Sequence, residues 1–155
     1  MLYEDLLEIA DKENIEVIEF KFKSEKIKGL YVDNVIAINP ILSTSVEKAC
    51  ILAEELGHYY TSTGDILEQN DICNRKQEHL ARKWSYEKMV PLKKLISASF
   101  EGCRNIFELS EYLGVTEEFL KSTLKYYEQK YGLFKEVDEY CVYFNPLTVC
   151  KYEYE

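Results

Sequence analysis

Histidine is scarce in this chain of 155 residues, with only His58 and His79 present. Cysteine reaches five, but the number is odd and no two fall in a C-x-x-C pattern. That excludes a disulfide framework and points to free thiols in a reducing compartment, so the cytoplasm is the expected location. Long hydrophobic runs are missing, which excludes a membrane-spanning helix. The opening Met1-Leu2-Tyr3-Glu4-Asp5 lacks the basic residues of a secretory leader. Positive charge is also short: 19 Lys and Arg against 28 Asp and Glu leave a net charge of -9. Such a surface repels phosphate, so a large nucleic-acid footprint is excluded and a neutral or basic substrate is expected. No internal repeat or low-complexity linker is visible.

What is present suits a globular protein. Hydrophobic residues make up 46% of the chain, enough for one compact domain with a real core. Leu2, Leu6, Ile9 and Ala10 fall at helical spacing. Ile15 to Lys23 alternates like a strand. Gly29 to Val32 and Val35 to Ile38 flank Asp33-Asn34, a turn-forming pair, and predict a hairpin. Thr44-Ser45-Val46-Glu47 reads as a capping box for a helix ending before Gly64. Asn74 and Gln77 read as the cap of a second long helix, stopped by Pro91. A third helix is expected near Leu92 to Phe100. Two short helices follow around Gly114, the second ending near Gly132, and Tyr140 to Cys150 is expected to form a terminal hairpin. The expected fold class is α+β. Residues 1–100 would form the main domain, and residues 101–155 an extension packed on the same core as a single compact unit.

The chemistry concentrates in Glu54-Glu55-Leu56-Gly57-His58. On a helix, positions i and i+4 lie about 40° apart and roughly 6 Å along the axis, so Glu54 and His58 can face one ion. The pattern is that of H-E-x-x-H with Glu54 in the first His position, and Glu55 stands where such a motif carries the carboxylate that activates water. A third ligand must come from another element, because one helix cannot surround a cation. Glu78 is the candidate, on a helix face shared with Ala81, Arg82 and Ser85, whose small members permit close packing. Gly57 costs its helix about 1 kcal/mol relative to Ala, a cost that close approach of another backbone or a substrate would explain.

Here the chain resembles the ImmA/IrrE metallo-endopeptidases, zincin-like proteins. Their metal helix reads like L-A-H-E-L-G-H-Y, against Leu52-Ala53-Glu54-Glu55-Leu56-Gly57-His58-Tyr59. A second helix reads like E-x-x-A-x-x-F-A and is followed by a hydrophobic pair and Pro, against Glu78-x-x-Ala81-x-x-Trp84-Ser85 and Met89-Val90-Pro91. The segment from Glu108 to Val115 is also similar. The resemblance implies a small zincin-like domain, His58 and Glu78 as metal ligands and Glu55 as general base. It further implies a helix-turn-helix repressor of a prophage or mobile element as the protein substrate. Glu54 departs from the pattern. Two carboxylates and a neutral imidazole neutralise a dication, weaken it as a Lewis acid and raise the pKa of its water. Zinc is the expected ion, and the harder ligand set tilts selectivity toward manganese or iron. The alternative is a weak or inactive scaffold that binds a regulator without cutting it.

Several residues admit a second role. His79 lies about 100° around the helix from Glu78 and reads as a surface residue rather than a replacement ligand. Cys50, one turn before Glu54, reads as a buried thiol. Tyr59 or Tyr60 could stabilise an oxyanion, though packing is the simpler role. The strand Val35 to Ile38 reads either as an edge for an extended peptide or as a buried core strand. Leu109 to Leu124 has a helix-turn-helix look, but its second helix opens on Thr116-Glu117-Glu118, which favours packing over DNA.

Overall fold

The computed structural model describes residues 1–62 and 71–152, save the side chains of residues 71–73. The expected helix end before Gly64 and the thiol of Cys73 lie outside the described residues. The chain forms two compact units, Met1–Lys88 and Met89–Glu155. The fold is α+β.

The first unit begins with α1 (Tyr3–Lys12), β1 (Glu16–Glu19), β2 (Gly29–Val32) and β3 (Val35–Ile38). Two long helices, α2 (Ser45–Thr61) and α3 (Asp71–Met89), follow. Leu6 and Ala10 form the buried stripe of α1, which packs on α2. Asp33 and Asn34 turn between β2 and β3 with φ of 47° and 63°, the left-handed pair that matches the twist of a two-residue hairpin.

The sheet has the order β1-β3-β2, with β1 parallel and β2 antiparallel to β3. Val35 to Ile38 is therefore the central strand, and the reading of it as a free edge is corrected. Its apolar run buries Ile36 and Ile38 completely, as a strand with neighbours on both sides requires. Among the described residues, the free edge next to α2 belongs to β2. The strand expected from Ile15 to Lys23 is also shortened. The Phe20 main-chain N–H still reaches the Ile38 carbonyl at 3.0 Å, but β3 then ends before Pro40 and offers no further partner.

The second unit contains α4 (Leu92–Phe100), α5 (Ile106–Leu113), α6 (Glu117–Tyr131) and an antiparallel meander. Its strands are β4 (Phe134–Val137), β5 (Tyr140–Phe144) and β6 (Leu147–Lys151), in the order β4-β5-β6. Asn105 and Thr116 cap α5 and α6 by accepting the N–H groups of Glu108 and Phe119 at 2.8 and 3.1 Å. Gly114 ends α5 at φ 70°. Leu109, Leu113, Leu120, Thr123 and Tyr127 are buried, and the Tyr127 hydroxyl donates to the Val90 carbonyl at 2.7 Å. The α5–α6 pair thus spends its apolar faces on packing. β4 was not expected, because Phe134-Lys135-Glu136-Val137 is half charged and lacks a strand's usual apolar alternation. Among the described residues, no helix is long and apolar enough to cross a membrane.

Candidate metal centre

The centre is built on α2. Thr44 begins that helix by accepting the Glu47 N–H at 3.1 Å. The Glu47 carboxylate turns to the hydroxyls of Thr44 and Ser43 instead of the cap's own N–H, so only half of the expected box forms. Ala49, Leu52, Ala53 and Leu56 face the core and fix the rotation of the helix. Glu54 and His58 are then left partly exposed on its neighbouring face.

α3 brings the third residue. It is already helical at Asp71, so Asn74 lies inside the helix and not at its cap. Local pattern could not register the upstream turn, and Asn74 and Gln77 instead line a cleft beside Glu78. Ala81 and Ser85 are completely buried. A Cβ on Gly57 would collide with the Ala81 carbonyl oxygen and sit 3.0 and 3.1 Å from the Ala81 carbonyl carbon and Cα. The missing side chain at Gly57 therefore reflects the close approach of another backbone, which is what draws Glu78 toward α2.

One donor atom from each of Glu54, His58 and Glu78 falls within a set no wider than 4.8 Å. His58 Nε2 lies 3.2 Å from Glu78 Oε1. Ligands about 2.0–2.2 Å from one tetrahedral ion stand about 3.3–3.6 Å apart, so this pair already has the spacing a metal needs. The donor set, two carboxylates and an imidazole, fits a divalent cation. His79 is exposed and outside the cluster, and Cys50 is buried in the core.

Glu55 points from α2 toward β2. It is only 8% exposed, and its pKa is pushed up to about 8. Burial is the largest cause, followed by the carboxylates of Glu54 and Glu78, while the Tyr31 main-chain N–H pulls the value down by hydrogen bonding. Gly29 makes room for this carboxyl. A Cβ there would lie 3.2 Å from Glu55 Oε1 and 2.6 Å from Ile51 Cγ2.

Three participants escaped the sequence reading. Gly29 and the Tyr31 main-chain N–H come from the edge strand, and no side-chain pattern marks them. Arg82 carried a weak signal, its i,i+4 spacing from Glu78. Its guanidinium lies 3.5 Å from Glu54 Oε1 and 4.0 Å from Glu78 Oε2, bridging both candidate ligands. The idea that Tyr59 or Tyr60 serves the site is corrected. Both hydroxyls donate to the Glu13 carboxylate, at 2.7 and 3.1 Å, and tie the end of α2 to the end of α1.

Gly29, Tyr31, Glu54, Glu55, His58 and Glu78 line a cleft of about 820 Å³, walled by β2 and the segment before it on one side and by α2 and α3 on the other. Residues 10–125 match Peptidase_M78, the IrrE N-terminal-like domain. The chain belongs to that family. The match runs through the cleft, both site helices, α4 and α5 and stops inside α6. An IrrE N-terminal-like domain is a metal-dependent peptidase type, which accords with a Glu/His/Glu group able to hold an ion. No curated protein matches the chain.

Proposed function

We propose that this IrrE-like domain is a cytoplasmic metal-dependent endopeptidase that cuts a helix-turn-helix repressor of the kind carried by mobile elements. One observation carries the reading. Three donor groups converge in the same cleft as a buried carboxyl and the free edge of a strand. Glu54, His58 and Glu78 would hold the ion, zinc by preference, with manganese or iron the alternatives its harder ligands favour. The ion, when bound, polarises the carbonyl and lowers the pKa of water.

The chain's own residues supply the rest. Glu55 would take a proton from water and return it to the departing amine. The Tyr31 N–H steadies that carboxyl on one side. Among the described residues β2 pairs on one side only, so its outer main-chain groups, the Tyr31 N–H apart, would align an extended segment. The choice of repressor rests on the family resemblance.

Incubating the purified protein with such a repressor should give discrete fragments, and a chelator should stop their formation. Glu54→His should tighten zinc binding tenfold or more in a chelator competition, because it supplies the softer nitrogen ligand that zinc favours and removes the carboxylate that Arg82 occupies. Unchanged zinc affinity would remove Glu54 from the ligand set. Arg82 favours a second reading, since a guanidinium already satisfies Glu54 and Glu78 without any ion. In that case the domain binds the repressor without cutting it. Binding would then persist in chelator and in Glu55→Gln, with no fragments from the parent protein.

A further inference from the structure

The outward face of the β4-β5-β6 sheet carries two thiols in register. Cys141 on β5 and Cys150 on β6 are directly opposite one another, and neither is in a disulfide. Side chains alternate across a strand, and opposite residues share a face. Glu136, Cys141 and Cys150 therefore form one row across the three strands, with Phe134, Tyr143 and Thr148 beside it. Val142 and Phe144 point the other way and are buried. Cys150 is exposed, whereas Cys141 is only 4% exposed although it shares that face. Tyr143 and Tyr152 supply the cover. Both hydroxyls hydrogen-bond with the Cys141 side chain, a contact that pushes their pKa values up. The Tyr152 hydroxyl also donates to Glu136 at 2.9 Å.

The spacing suits a bond between the two sulfurs. The Tyr152 N–H donates to the opposite Glu139 carbonyl at 2.8 Å. Hydrogen-bonded and non-hydrogen-bonded pairs alternate along an antiparallel ladder, so Cys141 and Cys150, two residues on, are again a hydrogen-bonded pair. Such pairs hold their Cα atoms about 5.5 Å apart, inside the usual disulfide range of about 4.4–6.8 Å. Their Cβ atoms, about 4.5–5.5 Å apart, lie at or past the wide end of the disulfide range of about 3.5–4.5 Å. A disulfide here closes under strain, and strain makes it easy to reduce. Packing accounts for Cys141 as a small buried side chain. It does not account for an exposed thiol set directly across from it.

We propose that Cys141 and Cys150 form a modification site, a reversible disulfide made by exchange with a small-molecule disulfide of the glutathione class. Cys150, the accessible thiol, reacts first. Its thiolate attacks one sulfur of the small disulfide, a Cys150–S–S–R bond forms, and the other half leaves as RS⁻ with the electrons of the broken bond. The Cys141 thiolate then attacks Cys150 Sγ, forms the cross-strand bond and displaces the second RS⁻. The two protein thiols give up two electrons and two protons, and the small disulfide becomes two thiols. Excess reduced thiol runs the sequence backwards, so the linked form is transient in a reducing compartment. While it lasts, the bond fastens β6 to β5. The row lies beyond residues 10–125, so it belongs to this chain's last segment and not to the matched domain. It is independent of the peptidase reading.

Mass spectrometry reads the site directly, because Cys141 and Cys150 fall in one tryptic fragment, 136–151. The folded, reduced protein would be held in a buffer of oxidised and reduced glutathione, quenched by alkylation and digested. The fragment should take up neither an alkyl group nor glutathione, and should weigh two hydrogens less than its reduced form. Dithiothreitol before the quench should restore both thiols. Cys141→Ser should stop at the mixed disulfide, with one glutathione retained on Cys150. In Cys150→Ser, the shielded Cys141 should react with oxidised glutathione at least about tenfold more slowly than Cys150 does in Cys141→Ser. A parent protein that stops at the mixed disulfide or does not react at Cys150 would overturn the proposal. So would a link that forms only in urea, or a Cys141 as reactive as Cys150.

Discussion

Glu55→Gln should make the metal-free protein more stable while reducing peptide-bond cleavage by about 10²–10⁴-fold, the range for loss of a positioned general base. The stabilisation follows from the raised pKa of Glu55, about 8 against an ordinary 4.5. Below pH 4.5 the folded and unfolded chains both carry the proton, and the group costs nothing. As pH rises from 4.5 to 8, the unfolded chain releases the proton and the folded chain keeps it, so stability falls with pH; above 8 the loss levels off. Each pH unit in that window is worth about 1.4 kcal/mol, giving on the order of 3–5 kcal/mol at pH 8. Gln keeps an oxygen for the Tyr31 N–H and has no proton to lose. Thermal melts in chelator should show the two proteins alike near pH 4.5 and furthest apart near pH 8. A bound dication favours the carboxylate and should shrink the gap. Parallel pH profiles without metal would show that Glu55 is not held neutral.

Gly57→Ala should be the most damaging small substitution at the site. Alanine ordinarily stabilises a helix by about 1 kcal/mol over glycine. Here its methyl group would meet the main chain of Ala81, a neighbour that cannot rotate aside. Relieving the contact means separating α2 from α3, at a net cost of about 1–3 kcal/mol. Glu78 lies one turn before Ala81 and would withdraw from His58, so zinc affinity should fall at least tenfold. Melting temperature and chelator competition read the two effects separately. A variant that melts lower yet binds metal as before would show that the helix contact serves stability alone.

Much of this arrangement was legible from the chain because it depends on local chemistry. Asp33-Asn34 marks the hairpin, and Thr116 and Gly114 mark ends of helices. The spacings of Glu54, His58 and Glu78 mark which side chains share a face. What stayed hidden depends on pairing between distant segments. Val35 to Ile38 has the same composition whether its edge is free or paired, so nothing local reveals that β1 covers it. β4 is a strand because β5 lies beside it, and its four residues alone carry little preference. Asn74 is a good capping residue in a place where the helix has already begun. At the site, the side chains were readable, while the main-chain N–H of Tyr31 and the absent Cβ of Gly29 have no signature in residue type.

The guanidinium of Arg82 bears on the order of events when the protein is made. Many small metal sites cannot form before their ion arrives, since their ligands repel one another or have no other partner, and metal binding then drives folding. Here Arg82 offers Glu54 and Glu78 a positive charge from within the chain. The carboxylates can gather beside His58 in the nascent protein, and an ion would enter later by taking the place of the guanidinium. Loss of the ion would be repaired by the same exchange in reverse. A cell short of metal would then hold a shaped domain in reserve, ready for loading without refolding.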